Sequence, residues 1–214
     1  YGNFRNLKWV IMIVTLGMPV RRRGGLYNTA CIIADGHVAG FVAKEHLAGE
    51  GLHYEPRWFK PWPNHQVVEL ERDGHRYPFG DVFFDFSGVR VGFEICEDAW
   101  VAQRRGALDG HAMDLIVNPS ASHFAFGKHA VRERLVLEGS RSMAVTYVYA
   151  NLLGNEAGRV IYDGGCYIAQ NGKMLAETPR LTFDDHVLTT AVADFVREAE
   201  RVLESAGWLG SDIG

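Results

Sequence analysis

Short runs rich in Val, Ile, Phe and Tyr recur along the 214-residue chain, and most are bounded by Gly, Asp, Asn or Pro. Runs of this length and composition are typical of β-strands. The predicted strands are Trp9–Thr15, Tyr27–Ile33, Val38–Ala43, Gln66–Leu70, Asp81–Phe86, Val89–Ile95, Asp114–Asn118, Ala144–Ala150, Gly165–Ala169 and Val187–Ala193. The predicted helices are Trp100–Leu108, Lys128–Ser142 and Asp194–Ser205. Strands interleaved with helices indicate a layered α/β domain.

The pair Asp35-Gly36 separates two of these strands, and Asp-Gly is typical of a tight hairpin turn. Several strands are apolar on both faces, which two packed sheets with helices outside would explain. A single central sheet would give the same composition, so both arrangements stay open. No linker, low-complexity tract or internal repeat divides the sequence, and we expect one domain over residues 1–214.

The helix predicted at Lys128–Ser142 is amphipathic. Val131, Leu135 and Gly139 recur on one stripe, which we expect to face the core, whereas Arg132 is available to face water. A narrow stripe of this kind predicts a helix that packs on a sheet with its other side exposed.

Composition and charge exclude several classes of protein. Hydrophobic residues make up 47% of the chain and charged residues 22%, so a sizeable core can form. The net charge of −4 gives no electrostatic reason to expect nucleic acid or a membrane as a partner. The most apolar run, Trp9–Gly17, is about half the ~20 residues that span a bilayer. No signal-peptide pattern is present, so a cytoplasmic location is expected.

Three cysteines, Cys31, Cys96 and Cys166, are too widely spaced and odd in number for a disulfide framework. No Cys or His cluster has the spacing of metal ligands, so we expect neither a metal nor a cofactor. We interpret Cys166 as a structural residue.

The segment Val89–Trp100 carries the strongest indication of chemistry. Its apolar residues alternate up to Ile95, as in a strand, and the acidic pair that follows suits the start of a helical turn. Cys96 would lie at the junction, where unpaired backbone N–H groups and the helix dipole favour a thiolate. The N–H of Glu97 would then be a donor for an oxyanion beside the sulfur. The other interpretation of Cys96 is a small buried hydrophobe.

Lys44 follows the apolar strand Val38–Ala43. It is either a solvated strand end or a cation held near a developing negative charge. Segment 50–59 follows Lys44 and mixes aromatic and charged residues. One interpretation of this segment is a surface loop held in place by its aromatic side chains.

The order of these blocks resembles the nitrilase superfamily of carbon–nitrogen hydrolases. The matching segments are Gly36–Leu47, Glu55–Phe59, Gly92–Trp100, Asn118–Ser122, Tyr149–Gly154 and Tyr162–Gly165. The Ile-Cys-Glu-Asp-x-Trp and Ser-Ala-Ser pieces look most like the glutaminase domain of glutamine-dependent NAD synthetase. The resemblance runs from about Gly17 to Phe195 and implies the α/β fold of the family, an αββα sandwich.

The resemblance implies an amide hydrolase that uses a cysteine nucleophile. Cys96 would attack the amide carbonyl to form a thioester, Lys44 would stabilise the oxyanion, and Glu55 would position Lys44 or the substrate. The substrate-binding residues that it implies are Glu97, Ser120, Ser122 and Glu50. An aromatic residue usually stands at the position of Glu50 in the glutaminase branch, so glutamine specificity stays open.

One catalytic group of the family has no match. The family's base is a glutamate well before the lysine, yet residues 1–43 contain one carboxylate, Asp35, in the predicted turn. We therefore expect an N-terminally incomplete domain that lacks the first strands and helices and is weakly active unless a preceding segment supplies the glutamate. A catalytically inactive scaffold or binding subunit is the alternative, and a nitrilase acting on nitriles is a third interpretation.

Expected partners follow from the same resemblance. The substrate is expected to be a small-molecule amide such as glutamine, and the chain is expected to form a homo-oligomer. The sequence has no Ser-Gly-Gly-x-Asp-Ser loop, so no ATP-dependent synthetase domain is expected in it. A synthetase is the expected acceptor of the released ammonia.

Overall fold

A computed structural model describes residues 12–102, 113–156 and 158–195 of the chain. The strands of this part are β1 (Ile13–Arg22), β2 (Gly25–Ala34), β3 (His37–Ala43), β4 (Val67–Arg72), β5 (His75–Gly80), β6 (Phe84–Phe86), β7 (Val89–Phe93), β8 (Leu115–Ser120), β9 (Thr146–Asn151), β10 (Leu153–Glu156), β11 (Val160–Asp163), β12 (Cys166–Gln170) and β13 (Lys173–Glu177). Helix α1 (Lys128–Ser142) and two 3-10 turns, Glu55–Arg57 and Cys96–Ala99, complete its regular structure. None of the helices described here is long and apolar enough to cross a membrane.

The strands form two large sheets and one separate hairpin. The five-stranded sheet has the order β1-β2-β3-β5-β4, and the six-stranded sheet has the order β13-β12-β9-β8-β7-β6. Strands β10 and β11 pair only with each other among the described residues. Pairing is parallel between β3 and β5 and along β7, β8 and β9, and it is antiparallel between the other neighbours.

The two large sheets pack face to face around an apolar cluster. Ala30 and Ile32 of β2 lie in this cluster together with Phe84 and other residues of β6 and β7. Because side chains alternate along a strand, Cys31 points to the other face of β2, where Trp62 belongs to a second cluster. Strand β2 is therefore apolar on both faces because one face packs against the other sheet and the opposite face packs against the second cluster. The predicted mixed α/β sandwich is confirmed.

Helix α1 packs on the outer face of the six-stranded sheet, and its bounds are those predicted from the sequence. The predicted orientation is confirmed for Gly139, which is buried, and for Leu135, which packs against the core. It is wrong for Val131, which is exposed, and for Arg132, which is fully buried. Arg132 Nη1 lies 2.8 and 3.0 Å from the two carboxylate oxygens of Asp163, and its Nη2 donates to the carbonyls of Ser122 and His123. A buried guanidinium is stable here because an ion pair and two carbonyls satisfy it.

The hairpin predicted at Asp35-Gly36 is confirmed. Ala34 pairs with His37 across the turn, and both turn residues have positive φ angles of 48° and 79°. Positive φ at both central positions is the geometry that favours the sequence Asp-Gly.

The predicted strand Val187–Ala193 is wrong, because residues 187–193 form no strand. Leu188 and Val192 are almost fully exposed, so the β-type composition has neither a partner strand nor a core to cover it. The predicted strand Trp9–Thr15 begins outside the described residues, and β1 extends to Arg22. Most of the helices predicted at Trp100–Leu108 and Asp194–Ser205 also lies outside the described residues.

Candidate active site

A cavity of about 770 Å³ lies where several strands end. Lys44 follows β3, Cys96 follows β7, Ser120 ends β8 and Asn151 ends β9, and all four residues line this cavity. Strands β7, β8 and β9 are parallel, so their carboxyl ends meet at one edge of the six-stranded sheet. Ligand sites of mixed sheets commonly occupy such an edge.

Lys44 is 2% exposed, and Glu55 holds its ammonium group. The Nζ atom lies 2.5 Å from Glu55 Oε2, which also accepts the backbone N–H of Ala48 at 2.8 Å. The other carboxylate oxygen, Oε1, accepts the Asn28 side-chain amide at 2.7 Å. Three donors therefore engage the carboxylate of Glu55. This geometry suits a group that positions the lysine better than one that removes a proton from a substrate.

Cys96 starts the 3-10 turn that follows β7, close to the strand-to-turn junction indicated by the sequence. Its φ angle is 51°, in the left-handed region that residues other than glycine rarely adopt. Strain of this kind persists where the surrounding structure imposes it, and it is concentrated at functional sites. The side chain is half-buried and lines the cavity, so it is not sealed in the core.

Asp98 connects the segments that carry Lys44 and Cys96. Its carboxylate is fully buried, and Oδ2 accepts the backbone N–H of Ile95 at 3.1 Å. Oδ1 accepts the backbone N–H groups of Glu45 at 3.2 Å and His46 at 2.7 Å. Sequence reasoning treated Asp98 only as the start of a turn, because partners 52 and 53 residues away leave no short-range pattern.

Ser120 ends a chain of hydrogen bonds that leads into the core. Its hydroxyl donates to Asn118 Oδ1 at 2.6 Å, and Asn118 Nδ2 donates to the Tyr147 hydroxyl at 2.9 Å. Tyr147 in turn donates to the buried carboxylate of Glu94 at 2.7 Å. Because the hydroxyl proton of Ser120 is directed to Asn118, the oxygen presents lone pairs to other groups. Ser120 can therefore accept an N–H from a ligand in the cavity.

The other predicted substrate-binding residues are not among those that line the cavity. Ser122 is 3% exposed, and its backbone N–H donates to Asn151 Oδ1 at 2.8 Å, so it supports the loop after β8. Glu97 is half-buried within the 3-10 turn, and Glu50 is exposed. The structure thus brings together Lys44, Glu55, Cys96 and Ser120, and it places the side chains of Ser122, Glu97 and Glu50 away from the cavity wall.

Two histidines that sequence reasoning did not select lie beside the site. His53 lines the cavity, and its Nε2 is 2.9 Å from Nδ1 of His123. Burial, and then the nearby charge of Lys128, lower the pKa of each imidazole below its usual value. The neutral pair can share one N–H···N hydrogen bond. Within the ranges that the structure covers, no group of three or more His, Cys, Asp or Glu side chains is arranged to hold a metal ion.

Comparisons with known proteins identify the family of the chain. The profile of the family described as Carbon-nitrogen hydrolase matches residues 8–201. The glutamine-dependent NAD(+) synthetase of Saccharomyces cerevisiae is 31% identical over 210 residues, which are 92% of this chain and 29% of that protein. The glutamine-dependent NAD(+) synthetase of Mus musculus is 33% identical over 195 residues, which are 86% of this chain and 27% of that protein.

Solved structures show the same likeness. A glutamine-dependent NAD(+) synthetase from Cytophaga hutchinsonii is 45% identical with a TM-score of 0.76, over 88% of this chain and 30% of that one. A carbon-nitrogen hydrolase from Helicobacter pylori has a TM-score of 0.72 at 18% identity, over 94% of this chain and 68% of that one, and it shares the fold. The chain spans 27% to 30% of the length of the three synthetases. The resemblance found in the sequence is confirmed, and the chain belongs to the carbon–nitrogen hydrolase family.

Proposed function

We propose that the chain hydrolyses a small amide through a thioester on Cys96, in the manner of a glutaminase. The observation that carries the proposal is that Cys96 and the Glu55-bound Lys44 line one cavity. A half-buried sulfur on a strained turn and an immobilised ammonium group are two of the groups that acyl transfer uses, a nucleophile and an oxyanion stabiliser.

The reaction balances in two half-reactions. The Cys96 sulfur attacks the amide carbonyl carbon, and negative charge develops on the carbonyl oxygen. Lys44 Nζ, helped by the backbone N–H of Glu97, stabilises that oxyanion. The C–N bond then breaks, the nitrogen takes up the thiol proton and leaves as ammonia, and the acyl group remains on sulfur. Attack by water on the thioester releases the carboxylic acid and restores the thiol.

The relatives support a glutaminase-type substrate. Their names assign glutamine to the whole synthetases, of which this chain corresponds to a part. The cavity of about 770 Å³ lies within the usual range for small-molecule sites, roughly 300–1,000 Å³. We infer that ammonia released here passes to a synthetase. A homo-oligomer remains a prediction, and light scattering that gives the mass of a single copy would contradict it.

A catalytically inactive scaffold is the second candidate. The only carboxylate before Lys44 is Asp35, which lies in the β2–β3 turn and accepts the backbone N–H of Met12 at 3.0 Å. Asp35 does not line the cavity, so it is not the base that the family resemblance assigns to a glutamate before the lysine. The two candidates differ in one measurable property, turnover that depends on Cys96.

Ammonia release from glutamine and from butyramide tests the proposal on the natural protein that carries this chain. We expect Cys96→Ala to lower the rate by about 10³-fold or more, as for removal of a nucleophile. Cys166→Ala is the matched control, because Cys166 is a half-exposed thiol on β12 outside the cavity, and its rate should stay within about twofold of wild type. Equal rates for the Cys96→Ala variant and wild type would favour the scaffold.

A further inference from the structure

The carboxylate of Glu156 lines the same cavity as Cys96, and no step of the proposed hydrolysis uses it. Glu156 is the last residue of β10, on the β10–β11 hairpin, and its side chain is exposed. The sequence around it has no charge pattern that indicates a site. Its place in the fold puts a negative charge on the wall of a cavity that also holds the nucleophile.

Two phenol groups fix this carboxylate. Tyr54 Oη donates to Glu156 Oε1 at 3.0 Å, and Tyr162 Oη donates to Oε2 at 3.0 Å. Burial, and then the adjacent Glu156 carboxylate, raise the pKa of Tyr162 to about 12, so this phenol keeps its proton at neutral pH. Each carboxylate oxygen has further lone pairs after accepting one phenol. Glu156 is thus oriented and can still accept hydrogen bonds.

The two carboxylates of the cavity differ in their partners. Glu55 is paired with the Lys44 ammonium group. Glu156, in contrast, forms no ion pair with any residue that the structure describes. Arg159, on the same hairpin, places its guanidinium 4.9 Å from the centre of the Tyr54 ring. Neutral phenols orient the charge of Glu156 without cancelling it.

The cavity also links Glu156 to the reacting sulfur. Cys96, Tyr162 and Glu156 line one cavity, and Tyr162 donates one of the hydrogen bonds that hold Glu156. A substrate that places its carbonyl carbon at Cys96 can therefore present its other end to Glu156 within the same cavity. The Glu156 carboxylate binds most strongly a substrate group that is cationic and donates hydrogen bonds.

We propose that Glu156 binds the ammonium group of the substrate and thereby selects primary amides that carry an amino group, such as the side-chain amide of an α-amino acid. This inference rests on the proposed hydrolysis in one respect: the hydrolysis places the amide group of the substrate at Cys96, so that the amino group lies at Glu156. It assigns to Glu156 a role in specificity, whereas Lys44 and Cys96 act on the amide itself.

The kinetic test compares two amides that differ by one group. Glutamine carries the ammonium group, and glutaramate, the monoamide of glutaric acid, lacks it. We expect Glu156→Gln to raise KM for glutamine about tenfold, the effect of one charge-assisted hydrogen bond, and to leave KM for glutaramate unchanged. Glu71→Gln removes an exposed carboxylate on β4 outside the cavity and is the control for net charge. An equal rise in KM for both amides would overturn the proposal.

A binding experiment separates this proposal from the proposed catalysis. Calorimetry on the Cys96→Ala protein, with and without Glu156→Gln, measures the affinity for glutamine without turnover. We expect Glu156→Gln to weaken glutamine binding about tenfold and to leave glutaramate binding unchanged. Unchanged glutamine affinity, or no glutamine binding to the Cys96→Ala protein, would overturn the role of Glu156. If wild type released no ammonia from glutamine while Glu156→Gln still weakened glutamine binding, the role of Glu156 would be supported and the hydrolysis refuted.

Discussion

The carboxylate of Asp98 lies 2.7 Å from the backbone nitrogen of His46, a residue 52 positions earlier in the chain. Because Asp98 also accepts the N–H of Ile95, one buried side chain ties the segment after Lys44 to the turn that carries Cys96. The relative position of the proposed nucleophile and the proposed oxyanion stabiliser therefore depends on Asp98.

Asp98→Asn should destabilise the protein. Both carboxylate oxygens of Asp98 accept backbone N–H groups. In the asparagine variant an NH2 group takes the place of one of these oxygens, so at least one buried backbone N–H loses its acceptor. We expect the free energy of unfolding to fall by roughly 2–4 kcal/mol, measured by urea titration. Asp85→Asn is the control, because Asp85 accepts one N–H, that of Gly88, in a turn. A loss as small as that of the control would contradict the role of Asp98.

Glu55→Gln should lower kcat for amide hydrolysis by about 10²–10³-fold, with a smaller effect on KM. Glutamine can accept hydrogen bonds but cannot neutralise the Lys44 ammonium group, so the lysine loses the charged partner that fixes its position. Steady-state kinetics with glutamine, at equal concentrations of folded protein, measure both constants. A merely structural role of Glu55 would lower the amount of folded protein and leave kcat per folded molecule unchanged, and Glu71→Gln should change neither kcat nor KM.

The His53–His123 pair should make stability fall in mild acid. The pKa of each imidazole in the folded protein lies below the usual 6.5, so the unfolded chain binds protons at a pH where the folded protein does not. The free energy of unfolding should therefore decrease as pH falls through about 6.5 toward the folded-state pKa values. The charged groups that face the pair are the cations Lys128, Lys44 and Arg132 and the acidic side chains Glu97, Glu55 and Asp163.

Urea titrations at pH 7.5 and pH 5.5 measure this effect. Replacing both histidines with glutamine should reduce the loss of stability between the two pH values. His186→Gln, which changes an exposed histidine, should leave the loss as in wild type. If the double variant lost as much stability in acid as wild type, the pair would not be the source of the pH dependence.

Local signals in the sequence predicted the elements whose geometry is set by neighbouring residues. The Asp35-Gly36 turn follows from the conformational preference of that pair, and the bounds of α1 follow from its periodicity. The turn at Cys96 was indicated because an alternating strand ends just before an acidic pair. Each of these predictions depends on contacts between residues close together in the chain.

Features that depend on distant contacts could not be predicted in this way. The burial of Arg132 on α1 depends on its ion pair with Asp163, 31 residues away, which a helical stripe of apolar residues does not reveal. The exposed segment 187–193 has a strand-like composition but no partner strand. Strand β13, with Lys173 and Glu177 at its ends, has a weak apolar pattern yet pairs with β12 in the sheet. Glu156 reaches the cavity only through the β10–β11 hairpin.

Partitioning of the acyl group between water and hydroxylamine tests the thioester on Cys96 most directly. Glutamine and its γ-methyl ester analogue, glutamic acid γ-methyl ester, differ in leaving group but would form the same acyl-enzyme. At a fixed hydroxylamine concentration, the account predicts the same ratio of hydroxamate to acid from both substrates, and no enzyme-dependent hydroxamate from the Cys96→Ala variant. A ratio that depends on the leaving group, or hydroxamate formation that persists without Cys96, would contradict it.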